Sequence, residues 1–178
     1  KSVGSDVTWD FRGDPVFPRN AAYARAEWTR LVGASRGSFN RRSVDARGYL
    51  GLIGQSVLVA RVERHGSDRT LPDYFKPLLG GTSSLRGYRA GAFVGDTRVN
   101  GTLELRVPVT SPMSGGKLGV SAFVDVGKSY DRPTRFSDAP LHRGVGAGVW
   151  FTATVIRFDL SVARSRANAA HCDACPSS

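Results

Sequence analysis

Side-chain character switches between apolar and polar at nearly every residue in this chain, and the pattern restarts about eight times along its length. It begins at Asp6–Arg12, where Val7, Trp9 and Phe11 interleave with Asp6, Thr8, Asp10 and Arg12. Ala22, Ala24, Ala26 and Trp28 then alternate with Tyr23, Arg25, Glu27 and Thr29. Val44, Ala46, Gly48 and Leu50 alternate with Asp45, Arg47 and Tyr49, and Leu58, Ala60 and Val62 with Val59, Arg61 and Glu63. The second half is cleaner. Leu103, Leu105 and Val107 oppose Thr102, Glu104 and Arg106; Val120, Ala122, Val124 and Val126 oppose Ser121, Phe123 and Asp125. Val145, Ala147, Val149 and Phe151 oppose Gly144, Gly146, Gly148 and Trp150, and Ile156, Phe158, Leu160 and Val162 oppose Arg157, Asp159 and Ser161. A period of two puts each set on its own face of a strand, and helical spacing fits none of these segments as well. The expectation is an all-β, antiparallel chain of about eight strands.

The polar face decides between two kinds of sheet. A soluble sandwich buries its apolar face and wets the other, and alternation alone permits it. Here the polar face carries charges of both signs, while the apolar face has almost none. That is the pattern of a wall with hydrocarbon outside and a hydrated or salt-bridged interior. Most segments run about nine to eleven residues, the length of a tilted strand that crosses a bilayer. No apolar run approaches the roughly 20 residues of a spanning helix. Lipid tolerates no open sheet edge, so the expected form is a closed transmembrane β-barrel. Arg25, Glu27, Asp45, Arg47, Arg61, Glu63, Arg106, Arg157 and Asp159 are then expected to form interior ion-pair ladders. Trp9, Trp28 and Phe151 face lipid or the interface.

Composition and charge narrow the partners. A chain with 40% hydrophobic and 10% aromatic residues is not of the disordered class. A formal charge of +10 asks for an anionic partner, and nucleic acid, lipid phosphate or acidic protein would each satisfy it. For a membrane barrel, lipid phosphate suffices: Arg36, Arg41, Arg42, Arg64 and Arg69, read as loop residues, meet the membrane surface. Nucleic acid is not an expected partner.

Gly33–Asn40, Gly51–Gln55 and Thr110–Lys117 read as turns from their Gly, Ser, Pro and Asn content. Two connections are long, His65–Asp96 and Ser129–Leu141, and connections of such length usually carry function. The expected organisation is a single domain over residues 1–178, with a long loop at 64–96 and a tail at 165–178. Lys1–Ser5 shows no signal peptide, as in a mature form or an excised fragment. Cys172 and Cys175 lack a second ligand pair, so a small tail disulfide or two inert thiols is the plainer reading than redox or metal chemistry. His65, His142 and His171 fall in loops or tail without metal-ligand spacing. Gly33-Ala34-Ser35-Arg36-Gly37 matches the hydrolase pattern Gly-x-Ser-x-Gly, but that motif needs a strand–turn–helix elbow and a strand-like stretch follows instead. No catalytic residue, cofactor or metal is expected, and the chain does not read as an enzyme.

The long connection contains Leu79-Gly80-Gly81-Thr82-Ser83-Ser84-Leu85-Arg86-Gly87-Tyr88. The strand after it contains Leu103-Glu104-Leu105-Arg106-Val107-Pro108, and the next contains Phe123-Val124-Asp125-Val126-Gly127. With Trp9-Asp10-Phe11-Arg12-Gly13-Asp14-Pro15 near the start, this succession resembles, over nearly the whole chain, the C-terminal barrel region of the BamA/TamA-type bacterial surface-antigen superfamily. In that family an Arg-Gly-aromatic loop folds into the lumen and a Phe-x-Asp-x-Gly strand follows it. The resemblance implies a loop anchor made by Arg86, Gly87 and Tyr88, with Asp125 and Gly127 on the wall and Arg86 paired to Asp125. The residues themselves are compatible: Asp125 and Glu104 point inward by alternation, and a guanidinium suits a carboxylate better than an ammonium does. Arg86 facing solvent on an outer loop is the alternative. Gly144, Gly146 and Gly148 leave one face bare, either as room for that loop or to accommodate curvature.

Family barrels have sixteen strands and periplasmic domains ahead of them; this chain supplies about eight strands and no such domains. It would close alone as eight strands, share a sixteen-strand barrel with a second copy, or be a fragment of a longer polypeptide. The self-contained form is the first expectation, because both ends read as tails. An eight-strand ring, however, is nearly filled by its own side chains, so a loop inside favours a wider barrel. The tail after the last strand also departs from the aromatic C-terminus usual in such barrels. The resemblance implies an outer-membrane protein of bacteria that helps insert or translocate other outer-membrane proteins, through a seam between Asp6–Arg12 and Thr154–Arg164. Its partners would be outer-membrane lipid, client barrel proteins and, for a shared barrel, a second copy. The alternative is a non-catalytic anchor, pore or oligomeric scaffold.

Overall fold

The computed structural model describes residues 1–34, 37–113, 116–153 and 156–166. Eight long strands form one antiparallel sheet: β1 (Ser2–Asp10), β2 (Ala21–Ala34), β3 (Gly37–Gly51), β4 (Val57–Ser67), β7 (Thr97–Met113), β8 (Gly116–Tyr130), β9 (His142–Thr152) and β10 (Arg157–Arg166). Two short strands, β5 (Leu78–Leu79) and β6 (Phe93–Val94), pair within the long β4–β7 connection, after a single 3-10 turn at Asp73–Phe75. Among the described residues there is no α-helix. Each long strand pairs with its neighbours in chain order, the meander expected when hairpins connect successive strands.

Lateral rows of the sheet keep the two faces apart. Tyr23 sits beside Arg47, Arg25 beside Asp45, and Asp45 beside Glu63, while Ala24, Ala46 and Val62 form a row on the opposite face. Val7, Trp9, Val44, Val62, Leu103, Val124, Val149, Phe158 and Leu160 all stand exposed on that outward face. The polar row is the inward one. Its charges pair: Arg47 with Asp45 at 2.5 Å, Arg61 with Glu63, Arg98 with Glu63 at 3.4 Å, and Arg106 with Glu104 at 2.7 Å. Arg25 reaches Asp6 at 3.5 Å and Arg157 reaches Asp159 at 3.6 Å. Glu27 has no ion pair among the described residues and accepts from Thr29 instead.

The sheet is open. Among the described residues β1 pairs only with β2 and β10 only with β9, so the closed eight-strand ring of the first expectation does not form. The β4–β7 connection explains this: it lies against the inner face, where the side chains of an eight-strand ring would leave no space. An open wall of eight strands with a loop on its inner face fits an arc of a wider barrel. Strand ends shift too. β1 starts at Ser2 rather than Asp6, and Ser165 and Arg166, read as tail, belong to the β10 ladder. The segments 33–40 and 110–117, read as turns, are mostly ladder: Ala34 pairs with Gly37 and Met113 with Gly116. Arg41, Arg42 and Arg64 are consequently strand residues, not loop residues.

The two rims differ. One carries the long 68–96 and 131–141 connections. The other carries the short 52–56 turn and the 11–20 segment. That segment leaves β1, crosses the mouth and stacks Phe17 on Trp150 of β9, with ring centroids 5.5 Å apart. Trp150 is only 2% exposed; its Nε1 donates to the Val120 carbonyl at 3.1 Å, and its ring lies where a Cβ on Gly119 would be. Lys117 lies over the Phe17 ring at 4.2 Å, and Arg19 donates to the Leu52 and Gly54 carbonyls of the neighbouring turn.

Candidate functional site

The β4–β7 connection is held at both ends before its tip reaches the wall. Asp96, fully buried just ahead of β7, accepts from the backbone N–H groups of Leu71 at 2.8 Å and Arg132 at 3.1 Å. Arg132 in turn donates to the Ser67 carbonyl at the end of β4, tying the two long connections together. Arg98 on β7 donates to the Leu78 carbonyl at 2.7 Å. Leu79 and Leu85 are fully buried, and Gly127 on β8 makes this possible, since a Cβ there would lie 2.9 Å from Leu79 Cδ1. Ser84 Oγ bonds both the N–H and the carbonyl of Gly80. Gly80 and Gly81 have φ of +121° and +87°, a backbone that residues with a Cβ rarely adopt.

At the tip, Arg86 meets the wall. Its Nε donates to Asp125 Oδ2 at 2.8 Å and its NH2 to Asp125 Oδ1 at 2.9 Å, a two-pronged pair, while its backbone N–H donates to Oδ2 at 3.0 Å. NH1 donates to Glu104 Oε2 at 2.9 Å, and the guanidinium lies over the Phe123 ring at 3.2 Å from its centroid. Asp125 is 1% exposed and Glu104 is buried. Burial works against the Arg86 charge, but the bonds to Asp125 and Glu104 outweigh it and raise the pKa above its ordinary value. Such charge-assisted, bidentate pairs are the strong class of hydrogen bond.

Register places every part. Thr102, Asp125, Gly144 and Ser165 form one lateral row across β7, β8, β9 and β10, and Glu104, Phe123, Gly146 and Ala163 form the next. A Cβ on Gly144 would lie 2.0 Å from the Arg86 carbonyl oxygen, and one on Gly146 would lie 2.5 Å from the Phe123 ring. Gly144 is thus the space the loop occupies. Gly87, with φ +92°, brings the loop backbone against Arg164 and Ser165 of β10, where a Cβ would come within 2.8 Å. The Tyr88 ring packs edge-on against Phe93 at 5.3 Å and His142 at 5.9 Å, and its carbonyl accepts from Gly81. Arg86, Gly87, Tyr88, Glu104, Asp125 and Gly127 therefore all belong to one assembly. Sequence reasoning missed Asp96 and Arg132, which sit outside any alternating run, Arg98 at the start of the β7 ladder, and the place of Phe123 beneath the guanidinium.

Beside this latch the wall and the loop enclose a cavity of about 420 Å³, lined by Arg47, Arg61, Ser83, Arg106 and Asp159 among others. Its charges are already matched, mostly along single strands: Arg47 with Asp45, Arg61 with Glu63, Arg106 with Glu104 and Asp159 with Arg157. Among the described residues, no group of three or more His, Cys, Asp and Glu side chains is placed to hold a metal. Ser35 and Arg36 of the hydrolase-like pattern, and His171, Cys172 and Cys175, lie outside the described residues.

Comparison with curated proteins returns no match. The model of the Omp85 superfamily domain matches residues 1–172. With the match covering nearly the whole chain, and an antiparallel sheet with its loop latched inside, this protein belongs to the Omp85 superfamily, the outer-membrane barrels of protein assembly and secretion.

Proposed function

We propose that this chain helps insert or translocate other outer-membrane proteins in the bacterial outer membrane, as a non-enzymatic template. The observation that carries this reading is the Omp85 superfamily match over residues 1–172; the edges of β1 and β10, each with one neighbour among the described residues, are where a client strand would pair. A free edge presents a row of unpaired N–H and C=O groups, which in lipid cost several kcal/mol each until paired. An incoming strand satisfies them, so the edge gains what the client gains. The face pattern gives direction: β1 points Asp6, Thr8 and Asp10 inward and Val3, Val7 and Trp9 outward, so a client strand in register places its own polar face in the lumen. The latch gives rigidity, because Gly87 braces the loop directly against β10. Where further strands, from a second copy or from elsewhere in the same polypeptide, complete the wall, the client would enter at whichever of the two edges they leave unpaired.

The test is reconstitution of the full chain in liposomes with an unfolded outer-membrane client. Client folding should accelerate, and client cysteines should crosslink to Val7→Cys on β1 or Leu160→Cys on β10. No acceleration beyond an unrelated barrel sinks the reading. Steady ion conductance without such acceleration would favour the other one, an anchor or pore, for which the charged cavity beside the latch is the supporting feature.

A further inference from the structure

The outward face is apolar until it nears the long-loop rim, and there it becomes cationic on nearly every strand. Arg30 on β2, Arg42 on β3, Arg64 on β4, Arg143 on β9, and Arg164 and Arg166 on β10 all occupy outward positions and are exposed. Lys128 on β8 joins them, folded back over the Phe136 ring. The outward positions of the described strand residues contain no Asp or Glu. Among the described residues none of these six arginines has an ion pair, whereas of the inward strand arginines 25, 41, 47, 61, 98, 106 and 157 all but Arg41 meet a carboxylate. Asp68, just beyond β4, is engaged by Asn40.

These cations share a level. Traced back through the register to β2, Arg42 falls at Trp28, Arg64 and Lys128 at Ala26, Arg143 and Arg166 at Ala24, and Arg164 at Ala22. Beginning at Arg30, the row therefore steps down steadily as the sheet is crossed. In a barrel the strands tilt by about 35–45° from the axis, so a plane parallel to the membrane cuts successive strands at steadily shifted positions. A descending staircase of this kind is one horizontal belt. Turns of outer-membrane barrels face the periplasm and long loops face outward, so the belt lies at the headgroups of the external leaflet.

We infer that this belt binds the phosphate groups of the anionic glycolipid that forms the outer leaflet of the bacterial outer membrane. Charge complementarity carries the assignment: guanidinium groups match phosphate oxygens with paired hydrogen bonds, and nothing else on this face neutralises them. Directly below the belt, Trp28, Val44, Val62, Val145 and Val162 offer hydrocarbon for the acyl chains of the same lipid. The inference rests on the outer-membrane placement proposed above, but not on client insertion.

The full chain in detergent is titrated with bisphosphorylated lipid A and with the same lipid stripped of phosphate. Binding is read by native mass spectrometry and by the unfolding midpoint. The phosphorylated lipid should bind at least about tenfold more tightly, with a preference that fades as salt screens it. Replacing Arg42, Arg64 and Arg143 together with Gln should abolish that preference, and replacing them with Lys should keep most of it. Equal binding of the two lipids by the natural chain overturns the proposal without any variant. A folded Gln variant that still discriminates overturns it too, and phosphatidylglycerol competing as well as lipid A overturns the assignment to the outer leaflet. Phosphate preference in a chain that fails to insert clients supports the belt while sinking the assembly reading.

Discussion

Replacing Arg86 with Ala strands the buried Asp125, whose one ion pair among the described residues is with Arg86, while Glu104 keeps Arg106. Removing one partner of a buried ion pair typically costs about 3–5 kcal/mol, so the variant should unfold at a clearly lower temperature, read by heat-dependent gel mobility. Arg86→Lys keeps the charge but loses the fork to Asp125 and the stack on Phe123, and should fall between the two. Gly144→Val tests the same latch from the wall side. With its Cβ 2.0 Å from the Arg86 carbonyl oxygen, the loop must lift, and protease should cut residues 80–90 faster in the variant than in the natural chain. The inward position of Asp125 and Glu104 was legible from alternation alone, because a strand has only two faces. The partner of Asp125 was not, since it comes from a loop with no period; only the family resemblance implied Arg86. Trp150 was assigned to the inward face by its parity, but its stacking partner lies in a segment that no local pattern could direct across the sheet.

The elements were readable where both faces differ sharply in polarity. β7, β8, β9 and β10 show this best, and their cores fall where the pattern puts them. Ends were less readable. Gly, Ser and Asn between Gly33 and Asn40 suggest a turn, yet the pairing runs on to Ala34 and Gly37, because beyond the membrane a ladder persists without needing alternation. The long connection is anchored by Asp96, whose two oxygens each take a backbone N–H from a different loop. Asp96→Ala leaves both donors without a partner, at about 1–3 kcal/mol each. Hydrogen exchange should then rise at Leu71 and Arg132 while the amides of β7 to β9 stay protected.

Closure of the wall is a property of the whole molecule and has no sequence signature, since an edge strand and an interior strand share the same alternation. The first expectation of a self-contained ring failed on this point: a loop occupies the inner face, and the edges stand free. The outward band of Val, Leu, Ala and Phe should make the chain insoluble without detergent, and sedimentation in plain buffer checks this. The tie between Phe17 and Trp150 bears on the gap between β1 and β10. It strings the bowed wall like a bowstring, from the β1–β2 end to β9, so the wall cannot flatten without losing that aromatic contact. The curvature of the wall is then biased by the chain's own packing, with the strength of one aromatic pair, about 0.5–1.5 kcal/mol.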